Sequence, residues 1–385
     1  MTRFITGVAT FVLLPLVLCG CRDSGAALPS LLADPCEAPS INGTQVRLTG
    51  VALRGSIGDA FELSTQADTR VGIVADGAIY AATLSGDSIT IGRRIAQMGP
   101  AEGQLLSVDA LTEGQDGSVV AFDRQMHRIS RWKPSGAFDR SVTLQLTALA
   151  DGYVAGGGTV IAVTSQKGDI PYASTTGELR SLDSLGYTDS LLATFPGQVL
   201  RLRNDRAGSK FLSRPLERQP IVRWSHLHGW VIASTDSLNI YLGQTGQRRV
   251  IAGTGARAPI DPVTRDSSID AFVRNTGAKG IARAEAKTFA TENFFRGRTR
   301  LQLIDDIVPL LDGRLAVRRM GLCRDRHGWN MIDSIGRPAG VFTVPLNYRS
   351  VMPAKDGVLF AARREESLGL VLVPVAPDNN TARSP

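Results

Sequence analysis

The chain has 385 residues, 43% of them hydrophobic and 21% charged, and a formal net charge of +7. That length accommodates one extended all-β domain with a sizeable core. Its basic residues are almost all arginine (37 Arg, 6 Lys) and are spread along the sequence, which argues against a nucleic-acid-binding stripe.

Arg3 gives a short positive start, and Phe4–Leu18 is an uninterrupted run of apolar or small residues. The run is short for a membrane span and contains Pro15, so it reads as a secretory signal. Leu18-Cys19-Gly20-Cys21 then places a branched apolar residue at −3, Gly at −1 and Cys at +1. This resembles a bacterial lipobox, which implies removal of residues 1–20 and lipid on Cys21. Arg22 rather than Asp after that cysteine implies an outer-membrane location in the cell envelope, facing periplasm or cell surface. A plain signal peptide cut elsewhere and an uncleaved anchor are the alternatives. Residues 21–43 are expected to form a tether, since Asp23–Ser40 is small, polar and proline-bearing. Beyond Cys21 only Cys36 and Cys323 remain. In an oxidising compartment a disulfide between them is expected, two separate buried thiols being the alternative.

From residue 44 to residue 375 the chain repeats a tight turn followed by an alternating apolar strand. The turns are Asp76-Gly77, Asp116-Gly117, Gly157-Gly158, His228-Gly229, Asp312-Gly313 and Asp356-Gly357, at gaps of 40, 41, 71, 84 and 44 residues. Three gaps match a propeller blade of roughly 40–50 residues, and the two long ones read as a blade plus an insertion. In the second unit Leu106–Leu111 is an inner strand, Ser118–Asp123 a second, His127–Trp132 a half-buried third and Phe138–Leu146 an outer strand. Val71–Ala75 and Ala78–Thr83 repeat the inner hairpin around Asp76-Gly77. Second turns are expected at Gly136, Gly177 and Gly246, which trail the first by 19, 19 and 17 positions. Gln45–Val51 alternates, and is expected to add a strand to the last blade and so remove exposed edges. Residues 376–385 read as a disordered tail.

The repeated Asp-Gly strand, Gly99-Pro-Ala-Glu-Gly103 leading to Arg128–Gly136, and Val250-Ile-Ala-Gly-Thr-Gly255 resemble bacterial six-bladed β-propellers of the NHL and TolB-like type. The fold class expected is therefore all-β, a six-bladed β-propeller. A short helical insertion (253–300) falls between the fourth and fifth blades. There Asp266-Ser267-Ser268 reads as a helix start, and Ala278–Phe295 is helix-like with Ile281, Phe289 and Phe294 or Phe295 available for an apolar face. The insertion is either decorative or a lid over the channel mouth.

Chemical motifs are sparse. Gly253-Thr-Gly255-Ala-Arg-Ala258 matches a dinucleotide pattern formally, but Pro259 and Pro262 follow and no βαβ unit surrounds it. His226-Leu-His228 has metal-like spacing for a strand, yet a third ligand such as His127, His327 or Asp305 is not specified. No cofactor, metal or catalytic set is therefore expected. Asp305-Asp306 precedes the inner-strand run Ile307–Leu311, and Asp305 or Asp306 is a candidate for the channel mouth, a solvated turn being the competing expectation. Arg70, Arg223 and Arg349 stand near the starts of three expected inner strands, where repeat symmetry would ring one channel end and favour an anionic ligand. Pairing of these arginines with nearby acids is the competing expectation. Trp132, Trp224, Trp230 and Trp329 read as core packing between blades. The expected function is that of an exported, lipid-anchored binding or scaffold protein. Its partner would be a protein, an anionic small molecule or a glycan bound at the channel mouth, with His226 and Asp305 beside the arginines. The alternative that the resemblance implies is a lactonase-like hydrolase or lyase with a divalent metal on the axis. It requires three or more acidic, amide or histidine side chains converging from different blades.

Overall fold

The computed structural model describes residues 32–63, 70–113, 116–144, 149–155, 159–166, 172–182, 188–205, 208–213, 221–235, 238–243, 249–275, 279–295, 297–355, 357–364 and 367–375. The lipobox with Cys21, the Gly157-Gly158 turn, Gly246, Asp356 and the tail 376–385 lie outside these residues.

Two short strands, β1 (Thr44–Gln45) and β2 (Arg47–Gly50), precede the first antiparallel meander. That meander comprises β3 (Ile57–Glu62), β4 (Arg70–Ala75), β5 (Ala78–Ser85) and β6 (Ser88–Met98), with β7 (Gln104–Leu105) pairing parallel to β6. The second comprises β8 (Ala110–Glu113), β9 (Val119–Asp123), β10 (Arg128–Trp132) and β11 (Phe138–Thr143). A five-stranded meander follows: β12 (Leu149–Ala155), β13 (Thr159–Gln166), β14 (Tyr172–Leu182), β15 (Thr188–Asp205) and β16 (Gly208–Ser213). Next come β17 (Ile221–Ser225), β18 (Gly229–Ser234), β19 (Leu238–Gly243) and β20 (Arg249–Gly253). Two helices, α1 (Pro262–Asn275) and α2 (Ile281–Ala290), separate these from β21 (Ile304–Pro309), β22 (Leu315–Arg319), β23 (Arg326–Ile332) and β24 (Pro338–Pro345). The chain ends in β25 (Tyr348–Ala354), β26 (Gly357–Arg364) and β27 (Ser367–Pro374).

The first strands of neighbouring meanders lie side by side. β8 contacts β3 and β12, β21 contacts β17 and β25, and β25 contacts β3. Cores form between meanders rather than within them. Ile79 and Ile95 pack with Val119 and Trp132, Val231 and Ile240 with Ile307 and Val317, and Ile73 and Ile89 with Met352 and Leu359. This is an all-β, propeller-type architecture, in which sheets stack face to face around the first strands. The first and last meanders share one sheet, because Leu368 of β27 pairs with Ile57 of β3. β1 joins the same seam by pairing Thr44 with Leu372, while β2 runs parallel to β6.

Turn chemistry explains much of this, with two corrections. Gly117 and Gly313, between first and second strands, and Gly229, at the head of β18, take positive φ (74°, 88° and 70°), a conformation that favours glycine. Asp76 and Gly77 both have positive φ (52° and 68°) and close a two-residue hairpin with Ala75 paired to Ala78. That hairpin, however, joins the second and third strands, since β3 precedes β4. The first unit is therefore one strand out of phase with the expected repeat. Gly177 is no turn either; it lies inside β14, paired with Ser165.

Helix α1 begins four residues before the expected Asp266. Asp261 accepts the Thr264 N–H at 2.9 Å, and Pro262 takes the first helical position, the arrangement that satisfies an otherwise orphaned donor. Within the helical pair Phe272, Phe289 and Phe294 form an edge-to-face cluster. Among the described residues no helix is long and apolar enough to cross a membrane.

An arm beginning at the buried Leu32 crosses the fifth meander. Cys36 and Cys323 are joined by a disulfide, with 5.2 Å between their Cα atoms. Asn330 donates to the Ala33 carbonyl at 3.0 Å and Thr343 to that of Ala38 at 3.2 Å. Buried Arg319 donates to the carbonyls of Ala33 and Ala256. Burial lowers its pKa to about 10, opposed by Asp34.

Candidate functional site

Two aspartates near the starts of first strands share one local construction. The ladder slips by a residue between Ile57 and Asp59 in β3, and between Ile304 and Asp306 in β21. Such a bulge re-aims the side chain that follows it. In both strands the carboxylate then accepts the N–H of the next residue at 2.8 Å, from Ala60 and from Ile307.

Each carboxylate also receives an arginine from a neighbouring first strand. Arg349 of β25 donates to Asp59 and, at 3.1 Å, to the Ala60 carbonyl. Its guanidinium lies 5.8 Å from the centre of the Phe61 ring, within the range of a cation–π contact. Arg223 of β17 donates to Asp306 at 2.9 Å, and the Ser350 hydroxyl of β25 donates to the other Asp306 oxygen. Burial alone would raise the Asp306 pKa. Arg223, Arg318 and the hydrogen bonds from Ser350 and Ile307 outweigh it and hold the group below the usual carboxylate range.

Glu62, at the far end of β3, completes the set. Desolvation pushes its carboxyl up to about 7, with Arg223 pulling the other way. Arg223, Asp306 and Ser350 thus come from β17, β21 and β25 and meet at one carboxylate, and the Arg223 charge is also felt by Glu62 of β3. The arrangement can hold a proton on Glu62 near neutral pH and present paired charges to a polar ligand.

The other expected site residues go elsewhere. Arg70 heads β4, the second strand of its meander, because the first unit is out of phase. Its Nε lies 2.9 Å from Glu113, which Arg93 approaches at 3.7 Å. This places Arg70 at the end of the ring where first strands finish. Asp305 is the bulged residue and turns to Arg318 at 2.7 Å, so the axial position belongs to Asp306. His226 and His228 lie in the turn after β17, not on a strand, and His228 Nε2 is 2.7 Å from the Gly313 carbonyl at that same far end. His327, on β23, is 2.9 Å from the Leu346 carbonyl; burial and Arg318 lower its pKa. Among the described residues one set of His, Cys, Asp and Glu lies within reach of a common ion, Asp34 with Cys36 and Cys323. Both of its sulfurs are committed to the disulfide.

Sequence reasoning named Asp306 as the alternative to Asp305 and passed over Asp59, Glu62 and Ser350. A usable signal was present, because apolar-x-Asp opens three first strands: Ile57-x-Asp59, Leu149-x-Asp151 and Ile304-x-Asp306. Of the tryptophans, Trp132 and Trp329 are fully buried in inter-meander cores. Trp224 and Trp230 pair across strands at 4.9 Å. A separate groove of about 470 Å³ runs along the seam between Leu48–Leu53 and Leu368 and has no charged lining residue.

No family model matches the chain, and no curated protein matches it in sequence. Among solved structures it is similar to a "putative exported protein" from Bacteroides fragilis, at 12% identity and a TM-score of 0.51, over 90% of this chain and 97% of that one. A member of the DUF4221 family from Bacteroides vulgatus follows at 8% identity and a TM-score of 0.42, over 88% and 98%. A protein of unknown function from Bacteroides caccae gives 12% and 0.35, over 73% and 80%. At these identities the likeness concerns the fold.

Proposed function

We propose that the chain is an exported, lipid-anchored, six-bladed β-propeller of the NHL or TolB-like kind that acts as a binding protein of the cell envelope. The blades are the successive meanders, with β1 completing the last and α1–α2 inserted between the fourth and fifth. The signal-like run Phe4–Leu18 supports export, Cys21 supports anchoring, and a Cys36–Cys323 bond suits an oxidising compartment.

One observation carries the binding reading. Three first strands send Arg223, Asp306 and Ser350 to one point, and the Arg223 charge reaches Glu62 on a fourth. Charges brought inward from separate elements carry a desolvation cost that a packed core does not require. Where the axis opens, Arg349 and Asp59 stand half in solvent, at 49% and 40% exposure. An anionic small molecule or acidic glycan would take the Asp59 carboxylate's place on Arg349, with Arg223 deeper along the path. The lactonase-like alternative needs three or more acidic, amide or histidine groups around an ion. Among the described residues Asp59, Glu62 and Asp306 do not come within reach of one ion, and Asp59 and Asp306 each pair with an arginine, which favours binding.

Calorimetric titration with citrate and with a uronate oligosaccharide tests this. Arg349→Ala should weaken binding at least about tenfold while leaving the melting temperature close to wild type. Equal affinity in an Arg223→Ala/Arg349→Ala double variant, or no binding of either acid to the wild type, would overturn the reading.

A further inference from the structure

We propose that the α1–α2 hairpin is the face that lies on the membrane, and that it contacts anionic phospholipid headgroups. The inference rests on the lipid anchor at Cys21 proposed above. Its first support is the place where the tether leaves the ring. Arg319 holds the Ala33 carbonyl and the Ala256 carbonyl together, so the arm and the start of the helical segment share one guanidinium. A Cβ on Gly255 would stand 3.0 Å from Leu32, and the Cys36–Cys323 bond prevents the arm from swinging away. Ten residues lie between Cys21 and Leu32, a span of at most about 40 Å even when fully extended. The helical pair, which joins a last strand to the next first strand, is thus on the end of the ring that the anchor holds nearest the bilayer.

Charge gives the second support. Between Arg257 and Arg300 there are nine basic and five acidic residues, an excess of four in a chain whose whole excess is seven. Arg274, Lys279, Arg283 and Lys287 are exposed. Apolar exposure gives the third. Ile281 is 81% and Val263 75% exposed, and every residue from Ile281 to Glu285 faces solvent. α2 packs on α1 and on the segment that follows it through Ala286, Phe289 and Ala290, leaving its first turns projecting. Exposed aliphatic side chains among lysine and arginine are what an interfacial helix presents to anionic lipid.

The test uses the full lipidated protein reconstituted in vesicles with brominated acyl chains, which quench tryptophan emission at the bilayer. Ile281→Trp reports on α2, and Leu227→Trp reports on the opposite end, in the turn after β17. In vesicles containing phosphatidylglycerol, the emission added by Ile281→Trp should fall by about half or more, and that added by Leu227→Trp should stay unchanged. Arg283→Gln with Lys287→Gln should reduce the Ile281→Trp quenching. Protein that floats with vesicles but shows no quenching at Ile281→Trp, or equal quenching at both positions, overturns the orientation and leaves the anchor standing. Equal quenching in phosphatidylcholine alone overturns the headgroup assignment. Protein that fails to float and carries no lipid mass on Cys21 overturns the anchor and the orientation together.

Discussion

Asp59 in the first meander and Asp306 in the fifth follow the same bulge, accept the same next-residue N–H and receive an arginine from a neighbouring first strand. Their surroundings differ. The Asp59 side chain is 40% exposed and that of Asp306 is 8% exposed. Asp306 also has Ser350 and the nearby Arg318, whereas Asp59 faces water. Local sequence therefore sets the geometry of each pair, while the depth of packing around it sets the energy.

Removing the buried acid should have the largest effect. Asp306→Ala leaves Arg223 and the Ser350 hydroxyl without the carboxylate they share and should cost about 1.5–3 kcal/mol, read as a lower urea midpoint. A loss no greater than that of Asp59→Ala would erase the contrast between the two sites. Because the Asp306 pKa lies below its ordinary 3.8, its stabilisation is fully present above that value. It disappears as pH falls through the folded pKa, so the gap between wild type and Asp306→Asn should close in acid.

Glu62 should show the opposite sign and a smaller effect. Its pKa rises from 4.5 to about 7 on folding, so the native state binds the extra proton between those values. Wild-type stability should therefore fall as pH climbs from 4.5 to 7, relative to Glu62→Gln. Urea midpoints of both proteins at pH 4.5 and 7.5 check this, and parallel curves would show that Glu62 titrates as an ordinary surface acid. The smallest effect belongs to Asp59→Ala, at most about 1 kcal/mol in dilute buffer. It should vanish in 1 M salt, where the screening length is about 3 Å, while the Asp306→Ala deficit persists.

The repeat was legible where turn chemistry and alternation agreed. Asp116-Gly117, Val119–Asp123, Arg128–Trp132 and Phe138–Thr143 fall close to their expected places. The first meander was misread because Asp76-Gly77 is an ideal two-residue hairpin whichever strands it connects, and sequence alone does not say which. Its true first strand, Ile57–Glu62, was hidden by the bulge that creates the Asp59 site. One extra residue destroys the period-two pattern by which a strand is recognised. The same slip in β21 decides between Asp305 and Asp306, turning Asp305 to Arg318 and Asp306 inward. Arg223, Arg349 and Asp306 were visible as candidates, but the pairing of Arg223 with Asp306 and of Arg349 with Asp59 was not. Those partners sit on strands far away in sequence, and no local pattern encodes a pairing 83 or 290 residues long.

The seam between the first and last meanders has a consequence for the chain as it is made. Thr44 pairs with Leu372 and Ile57 with Leu368, so the earliest-synthesised strands wait for the final segment to leave the ribosome. A premature stop upstream of Ser367 would not yield a smaller ring. It would leave β1 and β3 as bare sheet edges, ready to recruit the same edges of another truncated copy.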